Sequence, residues 1–220
     1  RRIKEFPASG KTLAQIDDLM LYAPEDDAGN STGLLPWADA IKSIETQRAI
    51  IAQLQSQIDV LNEDFSATNA DYNLTPTYNS VKSGNIAVRF VLDAVVRKST
   101  TTTSWSTNNA MKKSPKGIAP TSPTTKLNIW VCNMGGGILG YAQFPGGSSA
   151  TDGVVLDDNA TGRTGTAAAP FNKGRTATHE VGHWLNLRHI WGDATCGTDL
   201  VGDTPTHNTA NYGCPASGHT

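Results

Sequence analysis

Apolar residues recur with a helical period in the segment that begins at Ile44. Successive members are separated by seven, three, four, three and four residues: Ile44, Ile51, Leu54, Ile58, Leu61 and Phe65. Because residues three and four apart share one face of an α-helix, this pattern predicts a helix that packs one face against a core. Residues 1–43 mix charges, Gly and Pro without a sustained period, which predicts an irregular N-terminal segment with one short helix near Leu13 to Leu21.

Four later apolar runs are bounded by turn-forming residues, a pattern typical of β-strands. They are Asn85 to Leu92, Leu127 to Cys132, Leu139 to Phe144 and Gly153 to Leu156. The stretch from Lys98 to Thr125 is rich in Ser, Thr, Lys and Pro and predicts a long surface connection. A second helix is expected to begin near Arg175, so the predicted order is helix, several strands, helix.

The length and composition of the chain limit the classes of partner that it is expected to bind. The chain has 220 residues, which suits one large domain or two small ones, and its formal charge of −2 offers no basic field to nucleic acid. No apolar run approaches the roughly 20 residues that span a bilayer, so we expect no membrane insertion. The abundance of Thr, Ser, Asn and Gly is typical of extracellular proteins and favours secretion, with a leader removed before Arg1.

Three cysteines cannot all pair with one another, so either one thiol is free or partners lie outside the chain. Cys132 falls in an apolar run and is interpreted as a buried thiol of a strand. Cys196 and Cys214 lie among Gly, Asp, Thr and Pro, a setting that favours disulfides of an oxidising compartment.

Two histidines of the second predicted helix have the spacing of metal ligands. His179 and His183 are four residues apart, so their imidazoles project from one face of the helix and can occupy two corners of a zinc tetrahedron. Glu180 follows the first histidine and would lie beside an open coordination position, where it can take a proton from water. The spacing therefore predicts a metal and a general base together.

A third histidine completes this set only if the helix ends and the chain turns back. His189 lies six residues after His183, a separation that a continuous helix would direct away from the metal. Asn186 stands at the expected reversal, and Asn tolerates the left-handed conformation that ends helices. Three histidines with an open fourth position suit hydrolysis of a peptide bond. A structural site would close the shell with a fourth ligand, often Cys, and is the alternative.

The string HEVGHWLNLRH at His179–His189 resembles the elongated motif HExxHxxGxxH of metzincins. The sequence that follows is similar to the pappalysin family in particular, through Ile190-Trp191-Gly192-Asp193, Cys196, Asp199, Asp203-Thr204-Pro205 and Gly213-Cys214-Pro215. The resemblance implies an α+β metzincin-like fold. A twisted mixed sheet and two long helices, a backing helix and an active-site helix, would lie above an irregular lower subdomain, with the zinc cleft between them.

The same resemblance implies further binding residues. The run Leu139 to Phe144 would form the edge strand against which an extended peptide pairs, with Gly140, Tyr141 and Ala142 as substrate-binding residues. Members of the family also bind calcium, and the matching positions are Asp199 and Thr204, whose oxygens suit a hard cation. Asp203 could instead cap its own turn.

Departures from the family pattern leave alternatives open. Asn186 replaces the commoner Gly, and the Val-rich first strand of the family is not recognisable in residues 1–43. The chain ends at Thr220, before the expected methionine turn, so we interpret 44–220 as a truncated catalytic domain. The family partners of Cys196 and Cys214 are absent, so the resemblance does not pair these two. A zinc-stabilised binding module without catalysis, a latent fragment and a hydrolase of non-peptide amides remain alternatives, and the sequence indicates no oligomeric state.

Overall fold

The computed structural model describes residues 37–74 and 76–213. The chain divides into two compact units, Arg1–Gln47 and Arg48–Thr220, and every contact described below lies within the second. The short helix predicted near Leu13 to Leu21 and the residue Cys214 fall outside the described residues, and the division at residues 43 and 44 stays a prediction. Within the described part, no helix is long and apolar enough to cross a membrane.

The predicted periodic helix is confirmed. Helix α1 spans Trp37–Phe65 and buries Val60 and Leu61 completely. Its last turn is closed by Ser66 and Thr68, whose backbone N–H groups donate to carbonyls of the helix. Of the predicted apolar face, Leu61 is buried, and Ile58 and Phe65 pack against the core. Ile44 and Ile51 are exposed, so only the C-terminal part of that face forms a wall of the core.

Three of the four predicted strands form one mixed sheet. Strand β1 is Ile129–Cys132, β2 is Gly140–Ala142 and β3 is Val154–Asp157. The order is β1-β3-β2, with β3 parallel to β1 and antiparallel to β2. Strand β3 lies in the centre and all four of its residues are buried, which explains its uninterrupted apolar run.

The side chains of β3 alternate between two core clusters. Val154 and Leu156 face helix α1 and the second helix, whereas Val155 faces the opposite side of the sheet. The first cluster contains Leu61, Val154, Leu156, Ala177 and Val181. The second contains Trp105, Met111, Trp130, Met134 and Val155. The sheet thus has a hydrophobic layer on each face.

The strand predicted from Asn85 to Leu92 is wrong. Residues 82–100 form no helix or strand, and the side chain of Asn62 on α1 takes the place of a neighbouring strand. Its Nδ2 donates to the carbonyl of Phe90 at 2.9 Å, and the N–H of Phe90 donates back to its Oδ1 at 2.8 Å. The backbone of Phe90 therefore pairs with a helix side chain rather than with a β-ladder, and Ile86 and Val88 stay exposed.

The segment from Lys98 to Thr125 is more than a surface connection. It contains a short 3-10 helix at Ala110–Lys112 and buries Trp105, Met111 and Lys112 under the second face of the sheet. These large side chains stand singly in a polar stretch, so no periodicity indicated their burial. The segment supplies Trp105 and Met111 to the second core cluster.

Candidate metal centre

The second helix begins where it was predicted. Helix α2 spans Arg175–Trp184 and carries His179, Glu180 and His183. Its start is held by Gln57 of α1, whose Nε2 donates to the carbonyl of Gly174 at 3.0 Å and whose Oε1 accepts from the N–H of Gly162 at 2.7 Å. A buried glutamine therefore connects the two helices.

Sequence reasoning missed this role for Gln57 and the similar one for Gln53. The Nε2 of Gln53 donates to the carbonyls of Asp158 and Thr161 at 2.9 and 3.0 Å. The two glutamines are four residues apart, and both are buried: Gln53 is 6% exposed and Gln57 is 3% exposed. Their position between apolar members of the α1 period was the available signal.

Charged groups add a second connection between α1 and α2. Thr178 donates to the Oδ2 of Asp64 at 2.5 Å, and the Nε of Arg175 lies 3.3 Å from the same oxygen. Arg175 also donates to Asp71 at 2.6 Å. Burial raises the pKa of Asp64, while the Thr178 hydrogen bond and the Arg175 charge oppose that rise.

The structure brings the three predicted histidines together. The Nε2 of His183 lies 2.9 Å from that of His179 and 3.1 Å from that of His189, and the remaining pair is 3.2 Å apart. Nitrogens about 2.0–2.1 Å from a tetrahedral zinc would be about 3.3 Å apart. Among the described residues this is the one group of three or more His, Cys, Asp or Glu side chains with metal-binding geometry. The arrangement therefore fits zinc.

The turn that brings in His189 occurs at Asn186, as predicted. Asn186 adopts a φ of 77°, and the N–H of Leu187 donates to the carbonyl of Gly182 at 2.9 Å. This bond, five residues back along the chain, is the mark of a Schellman termination with its left-handed residue just before the donor. The helix stops after Trp184, and the chain returns towards the metal centre.

Two of the histidines are oriented through their other ring nitrogen. The Nδ1 of His183 lies 2.7 Å from the carbonyl oxygen of Leu187, so it donates and leaves Nε2 free for a metal. The Nδ1 of His189 lies 2.5 Å from the Oδ1 of Asp193. The ring of Trp191 stacks on His189 with centroids 4.3 Å apart and an interplanar angle of 4°. Asp193 and Trp191 were not assigned from the sequence, although Asp193 stands four residues after a ligand.

Glu180 lies on the buried side of the cluster. It is 7% exposed, and burial raises the pKa of its carboxyl group to about 7. A Cβ placed on Gly140 would lie 3.0 Å from the Cγ of Glu180. The carboxylate-bearing side chain is therefore packed against the backbone of β2.

Strand β2 supplies an outer edge next to this carboxylate. In the described part of the chain it pairs only with β3. The side chain of Tyr141 points to the second core cluster, where its hydroxyl lies 3.0 Å from the Oδ1 of Asn109. Ala142 packs on the first cluster. The outer backbone groups of β2 therefore pair with no described strand.

In the loop that follows the metal centre, the two residues matched to a calcium site make local hydrogen bonds. The Oδ1 of Asp199 accepts from the N–H of Val201 at 2.9 Å, so this carboxylate caps its own turn. Thr204 donates its N–H to the carbonyl of Val201 at 3.3 Å. Cys196 has a free, exposed thiol. Calcium binding and a disulfide at this loop stay predictions.

Comparison with known proteins agrees with this geometry. A family model described as pregnancy-associated plasma protein-A, of peptidase family M43, matches residues 125–218. An extracellular metalloprotease of Pyricularia oryzae is 29% identical over 95% of this chain and 72% of its own length. An extracellular metalloprotease of Verticillium alfalfae is 33% identical over 74% of this chain. The matched part is 53% of that relative's length, so this chain spans about half of it.

Solved structures extend the agreement to the fold. Mature mirolysin of Tannerella forsythia in complex with a cleaved peptide is 44% identical, with a TM-score of 0.69 over 75% of this chain and 68% of that chain. Mirolysin in complex with a compound matches at 45% identity with the same TM-score. The expected metzincin-like α+β fold, with its mixed sheet and two helices, is therefore confirmed. Fold, metal-ligand spacing and sequence likeness agree, and this chain belongs to the pappalysin family of zinc metallopeptidases.

Proposed function

We propose that this chain is the catalytic part of a secreted zinc endopeptidase in which Glu180 acts as the general base. The observation that carries the proposal is the position of Glu180. Its side chain follows a metal ligand on α2 and packs against Gly140 at the outer edge of the sheet. A peptide paired with that edge would pass beside both the carboxylate and the three histidines.

The ligand set supports a catalytic rather than a structural metal. Within the described residues, no cysteine or carboxylate joins His179, His183 and His189 as a fourth ligand. Zinc bound by these histidines would supply an open coordination position and a charge that acidifies water and polarises a carbonyl. The chain itself contributes the oriented imidazoles and an adjacent carboxylate.

Glu180 would transfer the protons of the reaction. Its carboxylate accepts a proton from the attacking water and then gives it to the amine that leaves the cleaved bond. This proton transfer needs no covalent intermediate on the protein. The absence of a side chain at Gly140 leaves room for Glu180, because a Cβ there would lie 3.0 Å from the Cγ of Glu180.

An extended peptide is the substrate that the edge strand supports. Backbone groups at Gly140, Tyr141 and Ala142 would bind it by main-chain pairing, which accepts many side chains. The cleaved peptide in the mirolysin structure is consistent with such a substrate for this chain. Secretion is supported by curated relatives named extracellular metalloproteases. We also propose that Asp199 and Thr204 take part in a calcium site, which added calcium would reveal by raising the melting temperature.

The decisive experiment compares the protein with Glu180→Ala on a denatured, dye-quenched protein substrate, with and without a zinc chelator. The expected result is chelator-sensitive cleavage that is absent from Glu180→Ala although zinc remains bound at one ion per chain. Cleavage retained by Glu180→Ala would contradict the assigned role. Bound zinc that raises the melting temperature without any cleavage would favour a binding module.

A further inference from the structure

An aromatic ring and a guanidinium group lie together beside the metal centre. Phe144 follows β2 by two residues, and its ring centroid lies 5.3 Å from that of His183. The guanidinium carbon of Arg188 lies 5.8 Å from the Phe144 ring centroid. Arg188 also immediately precedes His189 in the chain. The pair therefore lies next to two of the three metal ligands.

The segment that carries Phe144 is well anchored. The N–H of Gln143 donates to the carbonyl of Gly153 at 3.1 Å, which extends the β2–β3 pairing. The side chain of Gln143 donates to the carbonyl of Ser148 at 2.9 Å and accepts from the hydroxyl of Thr151 at 2.6 Å. These bonds hold the backbone that immediately precedes Phe144.

The charge of Arg188 has no carboxylate partner in the described part of the chain. The side chain is exposed, and no carboxylate there lies within ion-pair distance of it. Arg163 and Arg175, by contrast, pair with Glu63 and with Asp64 and Asp71. Arg188 thus keeps its N–H donors available beside a centre that takes a divalent cation.

We propose that Arg188, supported by the Phe144 ring, is a specificity-determining residue that binds a carboxylate of the peptide substrate close to the scissile bond. This inference rests on the proposed peptidase function. The planar fork of a guanidinium matches a carboxylate, and its weak hydration favours stacking on an aromatic ring. The carboxylate belongs either to an Asp or Glu side chain or to the C-terminus of the peptide.

Paired peptides separate these two sources. One series is amidated at its C-terminus and carries Glu or Gln at each of the four positions on either side of the cleaved bond. A second series has no acidic side chains. Its C-terminus is either a free carboxylate or an amide and is placed at different distances from the cleaved bond. The measured quantity is the ratio of kcat/KM for the charged and the neutral member of each pair, at low and high salt.

We expect one position at which the charged peptide is favoured by about 2- to 5-fold, an effect typical of an exposed ion pair and reduced at high salt. The ratio should fall to about one in Arg188→Met and invert in Arg188→Glu. Lys113→Met serves as the control, because it removes a positive charge from an exposed lysine of another segment and should keep the ratio. A ratio unchanged in Arg188→Met, or equal losses for both peptides, would overturn the proposal.

A binding measurement keeps the test independent of turnover. Zinc-loaded Glu180→Gln is titrated with the labelled peptide pairs, and fluorescence anisotropy gives the ratio of Kd values. We expect the same preference and its loss when Arg188→Met is added. If the protein cleaves nothing but the Kd ratio behaves as expected, the peptidase proposal fails while the carboxylate site stands. If the protein cleaves peptides without any charge preference, the carboxylate site fails while the peptidase proposal stands.

Discussion

Gly140 and Glu180 are in direct contact across the boundary between strand β2 and helix α2. A Cβ on Gly140 would lie 3.0 Å from the Cγ of Glu180 and 2.8 Å from the carbonyl oxygen of Val155. The absence of a side chain at position 140 therefore lets the sheet edge and the proposed base approach each other. The relationship joins the element that would bind the peptide to the group that would activate water.

Gly140→Ala should reduce both activity and stability. The added methyl group meets a backbone oxygen at 2.8 Å, so either β2 or Glu180 must move. We expect kcat/KM to fall by at least about 10-fold and the free energy of unfolding by about 1–3 kcal/mol. Peptide hydrolysis and urea unfolding measure the two effects. Gly202→Ala, where a Cβ would meet nothing within 4 Å, is the matched control, and equal behaviour of both variants would refute the argument.

Asp193→Ala should weaken zinc binding. Asp193 accepts from the Nδ1 of His189 at 2.5 Å, and loss of such a partner commonly costs about 10- to 100-fold in metal affinity. Competition with a zinc-binding dye gives the dissociation constant directly. Asp93→Ala, which removes an exposed carboxylate paired with Lys126, should leave the constant unchanged. An Asp193→Ala protein with the original zinc affinity would show that the hydrogen bond does not orient the ligand.

Gln57→Leu should destabilise the fold although it introduces an apolar residue into a buried position. The change leaves the N–H of Gly162 and the carbonyl of Gly174 without their partner, at a cost of about 1–3 kcal/mol. Denaturant unfolding followed by circular dichroism measures this loss in the free energy of unfolding. Gln55→Leu on the same helix is exposed and should change stability by less than about 0.5 kcal/mol. Similar values for the two variants would exclude a special role for Gln57.

Lys112 should make stability depend on pH in the alkaline range. Its side chain is 1% exposed, its Nζ donates to the carbonyl of Thr151 at 2.7 Å, and burial lowers its pKa from 10.5 to about 8. Between these pH values the unfolded chain keeps a proton that the folded chain has lost, so stability rises with pH.

Relative to Lys112→Met, the free energy of unfolding should increase by up to about 1.4 kcal/mol per pH unit between about pH 8 and 10 and stay constant below that window. Urea unfolding at several pH values measures the free energy of unfolding of both proteins. Subtracting one from the other removes the contribution of the other titrating groups. Lys113→Met, at the exposed neighbouring position, is measured alongside as the control variant. A flat difference for Lys112→Met would show that folding does not lower the pKa of Lys112.

Short-range patterns predicted much of the site and its supports. The helical period from Ile44 to Phe65 identified α1, and the four-residue spacing of His179 and His183 placed both on one face of α2. The turn at Asn186 followed from the need to return His189 to the same centre. Each of these inferences depends on geometry within short stretches of chain, where bond lengths and helical repeat leave few alternatives.

Partners from distant parts of the chain decided the rest. The segment from Asn85 to Leu92 has the alternation of a strand, but its backbone pairs with the amide of Asn62 instead of with another strand. The strand order β1-β3-β2 and the contact between Phe144 and Arg188 likewise depend on residues far apart in sequence. A backbone group or an arginine needs a partner but does not specify which one, because many distant groups meet the same local requirement.

The sequence by itself predicted the histidines that cluster, the adjacent carboxylate and the helix that carries His179 and His183, since these follow from spacing along the chain. Only the tertiary structure decided that Gly140 lies against Glu180, that Gln57 holds the start of α2, and that Arg188 lies over the Phe144 ring. These relationships arise because elements far apart in the sequence pack together. The energy of such packing depends on the whole core rather than on any local pattern.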